Sequence, residues 1–147
     1  MGWKPTFIIN SAATDRITLK LSGIAADGVL GVAIGELIDS QRPGWKTYLE
    51  RTEKYSKIKK PGFYHSVGYS FAEVFCEGLR LTGRDLTREK FIMAMEKIKN
   101  FNTGVGSNIT FGPGLRAGGH SAFIVRANGK EGRFEKLTER RDPRDRP

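Results

Sequence analysis

Two short runs, TFIIN at Thr6 to Asn10 and GVLGVAIGEL at Gly28 to Leu37, restrict what this chain can fold into more than any other feature. A strand with one wet face alternates apolar and polar residues. These runs do not, so both read as strands covered on two faces, the condition of parallel sheets in α/β proteins. Such a sheet needs helices on its faces. The intervening SAATDRITLKLSGIAAD leaves room for a short helix and a loop, and Gly31 and Gly35 imply a bend or a close backbone approach within the second run.

Three helical patterns follow. Pro43 opens a segment in which Trp45, Tyr48, Leu49, Thr52 and Tyr55 recur at three and four residues, one apolar stripe on one face. IKKPGF interrupts it. From Phe63 to Leu81 the residues Tyr64, Val67, Phe71, Phe75 and Leu79 repeat the spacing, and Gly83 sits where a left-handed cap would end the helix. Thr87 can cap a further helix that carries Glu89 in its first turn and turns Phe91, Ala94, Met95 and Ile98 inward.

Beyond Asn100 the chain becomes glycine-rich, with a short strand expected at NITFG and a turn at Pro113-Gly114. SAFIVRA and KEGRFEKL then flank Asn128-Gly129, the pair suited to a two-residue type I′ hairpin. Residues 139–147, ending RRDPRDRP, read as a disordered basic tail, so a ligand-binding domain would span 1–138.

Composition narrows the classes of function. A chain of 147 residues holds one domain or less. Its net charge of +9 would attract anions, yet the cations are scattered through segments such as ERTEKYSKIKK without interleaved aromatics to stack bases. A basic interaction protein binding nucleic acid or another anionic partner is therefore the alternative reading, and nucleic acid is not the expected partner. It would reveal itself by binding that weakens steeply as salt rises from about 50 to 200 mM. Cys76 is the one cysteine, which excludes an internal disulfide and a thiolate metal site, and its place beside an apolar stripe suggests a buried, inert thiol. The start MGWKPTFIIN has no apolar stretch of signal-peptide length, and nothing later is long enough to insert into a membrane.

Catalytic chemistry is poorly represented. His65 and His120 have no second His, Cys or Asp at a ligand-like interval, NTGVGS and FGPGLRAGG lack the Gly-Lys-Ser/Thr ending of a phosphate loop, and the helical carboxylates sit among lysines and arginines. The sequence thus predicts no enzyme, metal or cofactor. A function by binding is expected, at places where elements end beside a crevice.

The order of elements, with GWKPTFIINSA, GVLGVAIGE, the Pro43-started helix, GYSFAEVFCEGLRLTGRDLTREKFIMAMEKI, ITFGP and VRANGKEGRFEKL, resembles the carboxyl-terminal part of the leucine/isoleucine/valine-binding type of ABC transporter substrate-binding protein. The resemblance implies an α/β chain with part of the type 1 periplasmic-binding-protein fold: pieces of two three-layer αβα lobes, a hinge strand at GVLGVAIGE, and a closing β-hairpin. It implies a small solute held between lobes, a transporter permease as partner, a periplasmic or extracytoplasmic setting, and an amino-terminal half outside this chain. It places ligand contacts at Asn10, Ser11 and Ala12, the loop after the first strand, and at Tyr64 on the other lobe. Amino-acid binders commonly carry an acid in that loop to hold the ligand's ammonium. Ser11 stands there instead, which shifts the expectation toward aromatic acids, other carboxylates or small amides.

Overall fold

The computed structural model describes residues 2–144. One sheet contains β1 (Ile8–Ile9), β2 (Leu30–Ala33), β3 (Phe123–Asn128) and β4 (Arg133–Lys136), in that spatial order. β1 and β2 run parallel, joined through helix α1 (Arg16–Ser22) and a 3-10 turn at Gly23–Ala26, whereas β3 is antiparallel to both of its neighbours. Gly31 is where the strand meets the loop after β1. A Cβ there would lie 2.7 Å from Thr14 Oγ1 and 3.1 Å from Val125, so only glycine allows the contact.

The chain leaves this sheet after Ala33 and builds a helical module from α2 (Pro43–Tyr55), α3 (Phe63–Thr82) and α4 (Arg88–Met95), then returns at Phe123. Two cores result. Leu19, Ala33, Phe123, Val125, Ala127 and Phe134 pack in the sheet module, while Trp45, Tyr48 and Val105, with Leu49 and Tyr69 against them, form the other. The mixed α/β class and this two-part layout follow the expectation. The crossing is not made by the whole GVLGVAIGE run, however: Leu30–Ala33 is an internal sheet strand, and the passage starts at Ile34. There Gly35 bridges Gly106, and Glu36 N–H donates to Val105 O at 3.1 Å.

Local signals for element ends hold. Pro43 is at the start of α2, the Thr87 hydroxyl accepts from Lys90 N–H at 3.2 Å, and Gly83 ends α3 with φ of 76°. Burial patterns depart further. β1 is an edge strand with Ile8 67% exposed, not a strand covered on both faces, because β2 is its only sheet neighbour among the described residues. On α3 the buried residues are Ser66, Val74 and Gly78, whereas Phe71 is exposed and Phe75 is half-exposed, its ring reaching the side of Phe91. The helix sits one residue, about 100°, round from the aromatic stripe. Gly78 explains this choice, since Phe91 and Met95 of α4 press where its Cβ would be. The same rotation leaves Cys76 exposed, not buried.

Three further expectations change. The hairpin has a four-residue loop, not a two-residue turn: Asn128 pairs with Arg133, its carbonyl accepts from Gly132 N–H at 2.9 Å, and Gly132 takes the positive φ. Gly129 N–H is drawn instead to Asp27 Oδ1 at 2.9 Å. NITFG forms only isolated bridges, at Ile109 and Gly112. Residues 139–144 are no loose tail, because Arg141 bridges Ala122 and the Arg140 side chain is tucked against the crossing segments; 145–147 lie outside the described residues.

Candidate functional site

The loop after β1 and the start of α3 meet at the boundary of the two modules. Asn10 organises the loop: its Oδ1 accepts from Ala13 N–H at 3.0 Å, and its backbone oxygen accepts from the Thr14 hydroxyl at 2.9 Å. Asp15 ends the loop and caps α1, with Oδ1 accepting from Ile17 N–H at 2.8 Å. Its other oxygen, Oδ2, accepts from Phe63 N–H at 2.6 Å. One carboxylate therefore clips the first turns of two helices that belong to different modules. Gly62 makes room for it, since a Cβ at that position would lie 2.7 Å from Oδ2.

Two spaces flank this clip. Toward the interior, Thr14, Leu19, Leu37, Trp45 and Phe134 enclose about 50 Å³. That is room for a water or two at most. Toward solvent, Ala12, Asp15, Arg16, Lys60, Tyr64 and His65 line a cleft of about 280 Å³. His65 accepts from Gly62 N–H at its Nδ1, 3.0 Å away, so the neutral ring carries its proton on Nε2. Tyr64 stacks edge to face on Phe63, ring centroids 5.4 Å apart, and is 68% exposed.

Of the four residues singled out from sequence, Ala12 and Tyr64 come to one cleft from opposite modules. Asn10 and Ser11 do not line it, because the turn directs Asn10 into its own backbone. His120 is not part of this cleft either. Asp15, Arg16 and Lys60 escaped the sequence reading. Asp15 had a signal, an acid directly before a short helical run; the two cations gain significance only from their placement across a module boundary.

A broader groove of about 640 Å³ lies beside the crossing segments. Its charges are already matched. Arg42 and Arg140 both pair with Glu36, Arg133 with Glu131, and Lys136 with Glu139. The Arg140 guanidinium donates to Ile34 O at 2.8 Å, Ser121 O at 3.2 Å and Gly35 O at 3.2 Å, and lies over the Phe123 ring at 4.9 Å. Burial pulls its pKa below the usual arginine range, and Glu36 works against that shift. This is a structural tie between segments rather than a vacant binding surface.

No known family model and no curated protein matches the sequence. Solved structures match in fold. A branched-chain amino acid ABC transporter protein from Thermus thermophilus, solved with bound valine, superposes with a TM-score of 0.82 over 96% of this chain at 22% identity. This chain has part of the type 1 periplasmic-binding-protein fold. A leucine-binding protein from Thermotoga maritima superposes at 0.72 over 98% of the chain, and a fatty acid ABC transporter substrate-binding protein from Thermomonospora curvata at 0.70 over 96%, both at 22% identity. The chain spans 40%, 39% and 38% of the length of these three structures. Among the described residues no helix is long and apolar enough to cross a membrane, and no group of His, Cys, Asp or Glu gathers to hold a metal.

Proposed function

We propose that this chain is part of a solute-binding protein of the ABC-importer kind, holding a small carboxylate, amino-acid-like or aromatic solute in the cleft between its two modules and passing it to a membrane permease without chemical change. The observation that carries the reading is the cleft itself, where Ala12 from the sheet module and Tyr64 from the helical module line one space in a fold whose solved neighbours include proteins described as binding valine, leucine or fatty acid. An extracytoplasmic setting goes with such a role.

The rest of a two-lobe fold would complete the site. Two faces support that part of the reading: among the described residues the outer edge of β1 has no strand beside it, and Phe71 on α3 is 71% exposed next to Phe75 and Tyr64. Unpaired strand edges and aromatic ridges of this kind are covered in stable proteins.

The test is a thermal-shift and calorimetric screen of leucine, valine, octanoate and phenylacetate. A true ligand at a hundredfold excess over its Kd stabilises the native state by about 2.7 kcal/mol. Replacing Tyr64 with Ala should weaken that ligand selectively. A cooperatively folded chain whose melting none of these solutes moves at millimolar concentration would refute the reading.

A further inference from the structure

The solvent-side cleft is lined by cations from both modules. Arg16 and Lys60 line it, and both also line an adjoining depression together with Lys20. None of these three cations has a carboxylate or other hydrogen-bonding partner among the described residues. The acid that lines the cleft with Arg16 and Lys60, Asp15, accepts from Ile17 N–H and Phe63 N–H, so its charge is offset by the amino ends of α1 and α3 rather than by an ion pair with the cations. The contrast with the groove around Glu36 is direct, because there each arginine and lysine named above already has its acid.

Apolar surface borders the same charges. Tyr64 presents an exposed ring, and Ile17, on the first turn of α1, is exposed on the same cleft wall. A zwitterion would need an acceptor for its ammonium group, and the one carboxylate in the cleft, Asp15, already accepts from two backbone amides, one on each oxygen.

We infer that the cleft takes an organic monoanion, a carboxylate with an apolar or aryl body, whose charge is met by Arg16 and Lys60 and whose body lies against Tyr64 and Ile17. Arg16 is the stronger recognition element, since its planar fork can meet both carboxylate oxygens. Lys60, next to Pro61 where the chain enters α3, supplies the second charge from the other module, so the anion bridges the two parts of the molecule.

This inference rests on the solute-binding reading and is tested apart from it. Phenylacetate, its neutral counterpart phenylacetamide, and leucine are titrated calorimetrically into the chain and into the R16Q/K60Q variant at low salt. Both substituted side chains are exposed and unpaired, so the variant keeps the parent's melting temperature. Phenylacetate should bind about tenfold or more tighter than phenylacetamide, the factor expected of one charge-assisted hydrogen bond. That preference should vanish in the double variant and survive in part in Arg16→Lys. Should leucine or phenylacetamide bind as tightly as phenylacetate, with the double variant unchanged, the anion assignment is overturned while solute binding stands. Should a cooperatively folded chain bind none of the three, both readings fall.

Discussion

Replacing Arg140 with Ala tests how the two modules are held together. The guanidinium contacts the strand leaving the sheet at Ile34 and Gly35, the returning segment at Ser121, the Ser107 hydroxyl at 3.3 Å, and Glu36 at 3.2 Å. Its side chain is 20% exposed and that of Glu36 is 10% exposed. A hydrogen bond to a charged group contributes about 1.5 to 3 kcal/mol net, but five contacts from one cation are far from additive, and water from the adjoining groove can reach some of the freed carbonyls. Glu36 also keeps Arg42 and the Ser40 hydroxyl. The expected loss is about 2 to 4 kcal/mol, at the lower edge of what breaking a buried pair costs. In a chain of this size that lowers the melting temperature by roughly 4 to 16 °C. Arg140→Lys should fall between, because an ammonium can satisfy Glu36 and one carbonyl but cannot span all three segments. The assay is urea unfolding, read from the midpoint with an unchanged m-value. An alanine variant within about 0.5 kcal/mol of the parent, the range of ordinary surface substitutions, would show that Arg140 holds nothing in place.

Asp15→Ala removes a cap from α1 and the hydrogen bond to Phe63 N–H together, so a destabilisation of about 1 to 2 kcal/mol is expected, with faster hydrogen exchange at Phe63 as the specific sign that the clip between modules is gone. Gly44→Ala should cost more than the roughly 1 kcal/mol typical of point substitutions, since its Cβ would fall 2.4 Å from Gly104 Cα and backbone must move; a normal unfolding midpoint would contradict this packing. Arg144 holds the Asp142 carboxyl down, from an ordinary 3.8 to about 2. A carboxyl lowered on folding stabilises the native state above its unfolded pKa and loses that contribution as pH falls, here between about pH 4 and 2. NMR titration should give a midpoint near the lower value, and Arg144→Gln should move it upward.

Elements of this chain are largely legible locally, because caps and periodicity act over a few residues. Proline at Pro43, the Thr87 hydroxyl and Gly83 mark helix ends wherever the helices are later placed. The candidate site was legible only in part. Ala12 and Tyr64 line one cleft, but Asn10 serves its own turn, and nothing in the sequence says that Arg16 and Lys60, separated by two other elements, lie on that cleft with no ion pair to either of them among the described residues. The hairpin shows the same limit: Asn128-Gly129 suits a two-residue turn, yet Asp27 claims the Gly129 amide and the loop lengthens.

The sequence by itself determined that residues 63–82 form a helix with a strong aromatic stripe. Which side of that helix is buried was decided by its neighbour. Phe91 and Met95 of α4 need a close approach, and Gly78 on the face shared with Ser66 and Val74 provides one that a side chain there would block. Helical period fixes which residues share a face, but close packing selects the face that lets two backbones approach, and that selection depends on a second element the period cannot see.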